Sequence, residues 1–167
     1  AFEHAGALSA RHVARWTGSA WATYGEGVGG PVNALALRGG QVYAGGSFTN
    51  AGSTPALNIA RWDGGRWGPV AGGVGGTVYA IAVSDEGSVF VGGDSADAGV
   101  IDGANNVARW DGQRWTVLGS GVNGTVRSLF VQGTEVYVGG AFTRAGPLTV
   151  MNFARWHDDL ATWAGLG

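Results

Sequence analysis

The chain has no cysteine, which excludes disulfides, thiolate nucleophiles and zinc–thiolate sites and leaves the redox compartment unread. It also has no lysine; all 10 basic residues are arginine, a bias of lineage more than of function. Charged residues are only 13% of the 167, and the formal net charge is −2, so the basic surface that a nucleic-acid partner requires is missing. No apolar run approaches the roughly 20 residues of a membrane-spanning helix. No stretch holds a helical period over about eleven residues. The opening AFEHAGALSA lacks the charged-then-apolar order of a signal peptide, as expected of a processed or trimmed end.

What the chain does have is glycine and tryptophan. Its 33 Gly, without a three-residue period, point to many tight turns rather than to collagen. Apolar residues at 45%, with 8 Trp among them, suffice for a packed core and argue against disorder.

The sequence repeats itself. "ARW" recurs with its Arg-Trp at 15–16, 61–62, 109–110 and 155–156, at spacings of 46, 48 and 46 residues. Each unit opens on Gly-rich text and a Val: GGPVNALALRGGQVYAGG (29–46), GGTVYAIAVSDEGSVFVGG (75–93), NGTVRSLFVQGTEVYVGG (123–140). A polar loop follows, then NIARWDGGRW (58–67), NVARWDGQRW (106–115) or NFARWHDDLATW (152–163). Residues 1–16 align without a gap to 141–156, so the sequence opens partway through a unit.

Each unit predicts four short strands, β-branched or aromatic and bounded by Gly, Asp and Asn. Strand one is Val32–Leu37, Val78–Val83 or Val126–Val131, and strand two is Val42–Gly45, Val89–Gly92 or Val136–Gly139. Strand three is the "IARW" segment, and strand four begins at the second Trp. Asp63-Gly64 and Asp111-Gly112 predict two-residue hairpins between strands three and four, with positive φ at both central residues. WHDDLATW lengthens that turn and puts the last hairpin in doubt. Four strands in some 46 residues, repeated, predict an all-β fold: a β-propeller of four-stranded antiparallel blades, about 3.5 of them present. The divisions are a half blade over 1–30 and blades over 31–76, 77–124 and 125–167, in one domain.

The Gly-Gly strand end, the loop, the aromatic-Asp-Gly turn and the Trp four residues on resemble kelch-type propeller repeats. The wider text VYxGGxFTxAG…NxARWDGxxW resembles secreted bacterial repeat proteins of that superfamily and fungal cortical cell-polarity marker proteins. More distantly it is similar to the central domain of galactose oxidase. The resemblance implies an extracellular or cell-surface propeller. It does not carry over the oxidase activity, because that copper-radical site uses a cysteine cross-linked to a tyrosine. Two repeats depart from the pattern: GGDSADAG stands where the others have the "FTxAG" of Phe48 and Phe142, and WHDDLATW replaces the Asp-Gly turn.

Three and a half blades cannot close a ring, so the expectation is a part of a longer repeat chain; the other reading uses the open edge near His12–Trp16 for assembly between copies. Function is expected on the face carrying the loops between strands two and three. Asp94, Asp97, Asp102, Asn105 and Asn106 offer oxygen donors of the kind calcium prefers, but not the alternating spacing of a compact calcium loop. The plainer reading is an Asx-turn loop capping its own backbone. The repeated Arg15, Arg61, Arg109 and Arg155 read as structural rungs, and so do Trp16, Trp62, Trp110 and Trp156 with Asp63 and Asp111. His4, His12 and His157 lack metal-ligand spacing, and no catalytic motif is present. The expected function is non-catalytic: binding, adhesion or structural self-assembly with a protein or glycan partner. The alternative is a scaffold propeller of a larger secreted, carbohydrate-related enzyme.

Overall fold

The protein is described by a computed structural model that covers residues 1–94, 97–98 and 101–165, with only the backbone described at 101–102. Every regular element among these residues is a strand, and no helix is long and apolar enough to cross a membrane.

Three four-stranded antiparallel sheets follow one another. The first joins Val32–Arg38, Gln41–Gly46, Ile59–Trp62 and Trp67–Pro69; the second joins Val78–Val83, Val89–Gly93, Val107–Trp110 and Trp115–Val117. The third joins Thr125–Gln132, Glu135–Ala141, Phe153–His157 and Thr162–Ala164. In all three the strands neighbour one another in chain order. Ahead of them stands a lone two-stranded hairpin, Ala14–Trp16 with Trp21–Thr23, the opening hairpin.

The sheets pack face to face. A Cβ on Gly45 would lie 2.5 Å from Val78 and 2.7 Å from Ile81 of the second sheet. A Cβ on Gly92 would lie 2.3 Å from Val126 of the third. These two glycines are therefore seats for the first strand of the sheet that follows. Further apolar clusters fill the seams: Tyr43, Ile59, Val78, Val91 and Trp115 between the first and second sheets, and Phe90, Val107, Val126, Val138 and Trp156 between the second and third. Burying one such side chain is worth about 1.5–3 kcal/mol.

Strand four of each sheet reaches back to the preceding unit. The indole Nε1–H groups of Trp67, Trp115 and Trp163 donate to the carbonyls of Tyr24, Ala71 and Leu118, at 2.8, 2.9 and 2.9 Å. The Gly-rich links pair forward, through single bridges Val28↔Ala51, Val74↔Ala98 and Val122↔Ala145.

Three expectations need correction. The turns between strands three and four centre on Gly64-Gly65 and Gly112-Gln113, with positive φ only at the first residue, Gly64 (107°) or Gly112 (99°). One positive φ, at a leading glycine, fits the II′ hairpin class rather than I′. Asp63 and Asp111 sit at the corner instead, each accepting two backbone N–H bonds through Oδ1. The WHDDLATW hairpin also forms, because Ala161 takes φ 50° and the longer turn leaves Trp156 paired with Trp163. Nor are all the Trp rungs buried: Trp16 is 55% and Trp21 44% exposed, since no preceding unit covers them among the described residues.

Candidate binding face

The loops between strands two and three carry strands of their own among the described residues. Each contains a small hairpin of two-residue strands: Asn50–Ala51 with Thr54–Pro55, Asp97–Ala98 with Ile101–Asp102, and Arg144–Ala145 with Leu148–Thr149. His4–Ala5 with Leu8–Ser9 is the same device in the opening unit. The loop 94–106 is thus another instance of a repeated element, not an exception to the repeat.

A left-handed residue closes each loop just before strand three. It is His12, Asn58, Asn106 or Asn152, with φ between 58° and 69°. Asparagine tolerates this conformation better than most residues, and here its amide is also used. Asn58 accepts from the Phe48 N–H and donates to the Val74 carbonyl; Asn106 donates to the matching Val122 carbonyl at 2.9 Å. Asn105 donates to the Ser120 carbonyl, also at 2.9 Å. Both asparagines of the proposed cation loop therefore hold the Gly-rich link in place.

The acidic members are separated by similar duties. Asp94 accepts from the Thr77 N–H at 2.7 Å and from the Tyr79 hydroxyl at 3.2 Å. Asp97 accepts from the Gly103 N–H at 3.3 Å and pairs through its backbone with Asp102, whose side chain lies outside the described ones. Among the described residues no three His, Asp or Glu stand close enough to share a metal ion.

The repeated arginines split in two. Arg109 pairs with Asp158 of the following sheet at 3.2 Å, and its guanidinium donates to the Ser88 hydroxyl. Arg155 pairs with Glu135 at 2.9 Å, and that carboxylate also meets His157 at 2.6 Å. Arg15 and Arg61 are exposed, and neither holds an ion pair among the described residues. Asp63 and Asp111 titrate below the usual carboxylate range. The main cause is backbone N–H donation, led by Gly65 at Asp63 and by Arg114 at Asp111.

One cluster escapes the sequence reading. Strand one of every sheet slips register by one residue: between Val32 and Ala34, Val78 and Ala80, Val126 and Ser128. A bulge frees the skipped residue from the ladder and re-aims its side chain. The skipped residues are Asn33, Tyr79 and Arg127, and they reach toward one another across the seams. Asn33 donates to the Val78 carbonyl at 3.0 Å, and the Arg127 guanidinium lies 5.9 Å from the centre of the Tyr79 ring. With Asp94 on the Tyr79 hydroxyl, they form a polar and aromatic row at the loop-bearing end of the first strands. The signal was available: where the flanking residues repeat as V-x-A or V-x-S, the middle residue changes each time.

A concave region lies between the opening hairpin and the first sheet. It is a cleft of about 420 Å³ lined by Arg15, Tyr24, Leu37, Arg38, Val42 and Trp62 among others. No family model matches the chain, and no curated protein matches it.

Proposed function

We propose that the chain is a segment of a kelch-like β-propeller that works without catalysis at the cell exterior, in binding, adhesion or structural self-assembly. The observation that carries this reading is the stack of three sheets with one strand order, each seated on the last through a strand-two glycine. Successive blades of a propeller pack in this manner. The ligand, a glycan or a protein surface, meets the bulge row Asn33, Tyr79 and Arg127 with Asp94. These residues differ from unit to unit while the frame around them repeats, and they offer an aromatic face, a cation and a carboxylate within one row.

The test is the purified chain on glycan and matrix-protein arrays, beside Tyr79→Ala and Arg127→Ala variants. Saturable binding that both variants lose supports the reading, and binding that neither variant alters moves the site elsewhere. No ligand on either array, together with a native mass of one 17.0 kDa chain at every concentration, overturns it.

A further inference from the structure

The opening hairpin holds counterparts of strands three and four. Ala14–Trp16 pairs on one side with Trp21–Thr23, and among the described residues no strand pairs with its other side. In the three complete sheets that other side holds strand two, always in one register: Val42, Val89 and Val136 face Trp62, Trp110 and Trp156, and Gly45, Gly92 and Gly139 face Ile59, Val107 and Phe153. The following glycines, Gly46, Gly93 and Gly140, donate to the carbonyls of Asn58, Asn106 and Asn152, each at 3.0 Å. His12 takes the place of those asparagines in the opening unit, with the same left-handed backbone.

The first sheet, which lines the cleft through Leu37 and Val42, is prepared in the same way. Val32 and Leu35 occupy the positions whose counterparts, Val78 with Ile81 and Val126 with Leu129, seat on Gly45 and Gly92. Ile81 is 9% exposed in its seat, whereas Leu35 is 47% exposed and Leu37 70%. At the far end of the molecule the counterpart seat, Gly139, meets only Ser128 of its own sheet.

We infer that the cleft between the opening hairpin and the first sheet is a docking site for a β-hairpin of the chain's own strand-one and strand-two kind. The guest's second strand extends the free edge of Ala14–Trp16 by main-chain hydrogen bonds. Its Val lies opposite Trp16, its aromatic opposite Arg15 and its first Gly opposite Val13. Its second Gly N–H donates to the His12 carbonyl. The first Gly is obligatory, because any Cβ there strikes Val32 and Leu35 as one on Gly45 would strike Val78 and Ile81. An arbitrary extended peptide is thereby rejected. This inference rests on the repeat reading above.

The probe is a synthetic peptide of residues 125–140, which ends in such a Gly-Gly, titrated against the intact chain by calorimetry. Saturable one-to-one binding is expected. Gly139→Val in the peptide, or Leu35→Asp in the chain, should weaken it by roughly tenfold or more, the scale of an overpacked or desolvated-charge contact. The same segment placed directly before Ala1 should raise the urea midpoint, and its Gly139→Val version should not. Absence of binding together with an unchanged midpoint overturns the inference, as does binding indifferent to both variants. Small-angle scattering on the same sample separates the two readings. An arc of sheets without peptide binding overturns the docking site alone, and a straight stack overturns the propeller.

Discussion

The opening hairpin and the third sheet share a text, Ala-Arg-Trp followed by a turn and a second Trp, yet the two pairs of indoles have opposite fates. Trp156 and Trp163 are 4% and 7% exposed, while Trp16 and Trp21 are 55% and 44% exposed. Both pairs keep an edge-on contact, with ring centres 5.3 and 5.4 Å apart. The local geometry is thus a property of the motif, and the burial is a property of the neighbour. Each later pair is linked to the unit that precedes it, so stability is distributed along the seams as in other repeat architectures.

The largest expected effect follows from that difference. Trp115→Ala should cost about 3–5 kcal/mol in urea unfolding, as large buried aromatics do, and Trp21→Ala about 1 kcal/mol or less. Equal losses would break the comparison. The glycine seats give a second contrast. Gly92→Ala drives a Cβ to 2.3 Å from Val126 and should cost about 1–3 kcal/mol; Gly139→Ala meets only the rotatable Ser128 hydroxyl and should cost less than about 1. Next is Asn58→Ala, which removes two buried amide bonds and strains a φ of 58°. It should lose about 1–2 kcal/mol by chemical denaturation, with Asn58→Gly recovering only the backbone share.

The smallest effect is pH dependence. Asp63 and Asp111 have carboxyls held below their unfolded value, so their contribution is complete above about pH 4. It is lost as pH falls through the folded value. Thr17 fills the same corner of the opening hairpin, accepting the Ala20 N–H at 3.1 Å, and does not titrate in this range. A series of unfolding curves from acid to neutral pH should therefore show a flatter acid limb for Asp63→Asn with Asp111→Asn than for the unaltered chain.

Much of the frame was legible from residue text alone. Strand two reads Val-aromatic-x-Gly-Gly, and its predicted limits fall within a residue or two of those observed at Gln41–Gly46, Val89–Gly93 and Glu135–Ala141. Asp-Gly located two of the turns but suggested the wrong class, because the carboxylate caps the corner rather than adopting positive φ itself. The loop hairpins were hidden, since two-residue strands such as Asn50–Ala51 are too short to show a period of two. The bulge row was hidden for another reason: a one-residue slip appears only in the pairing register. In the sequence nothing separates Tyr79 from Tyr43, which is 6% exposed.

The glycine-rich links have a mechanical consequence. Segments such as GEGVGG read as slack, the sort of tether along which domains swing or a protease cuts. Here Gly27 leaves no room for a side chain beside the Arg11 carbonyl, Val28 bridges forward to Ala51, and Trp67 is clipped to Tyr24 at the link's entrance. A pull along the chain must dislodge the fourth strand of the next unit before it can pay out any link. Under tension, neighbouring units should yield together, as a stitched hem does, instead of separating one by one like beads on a string.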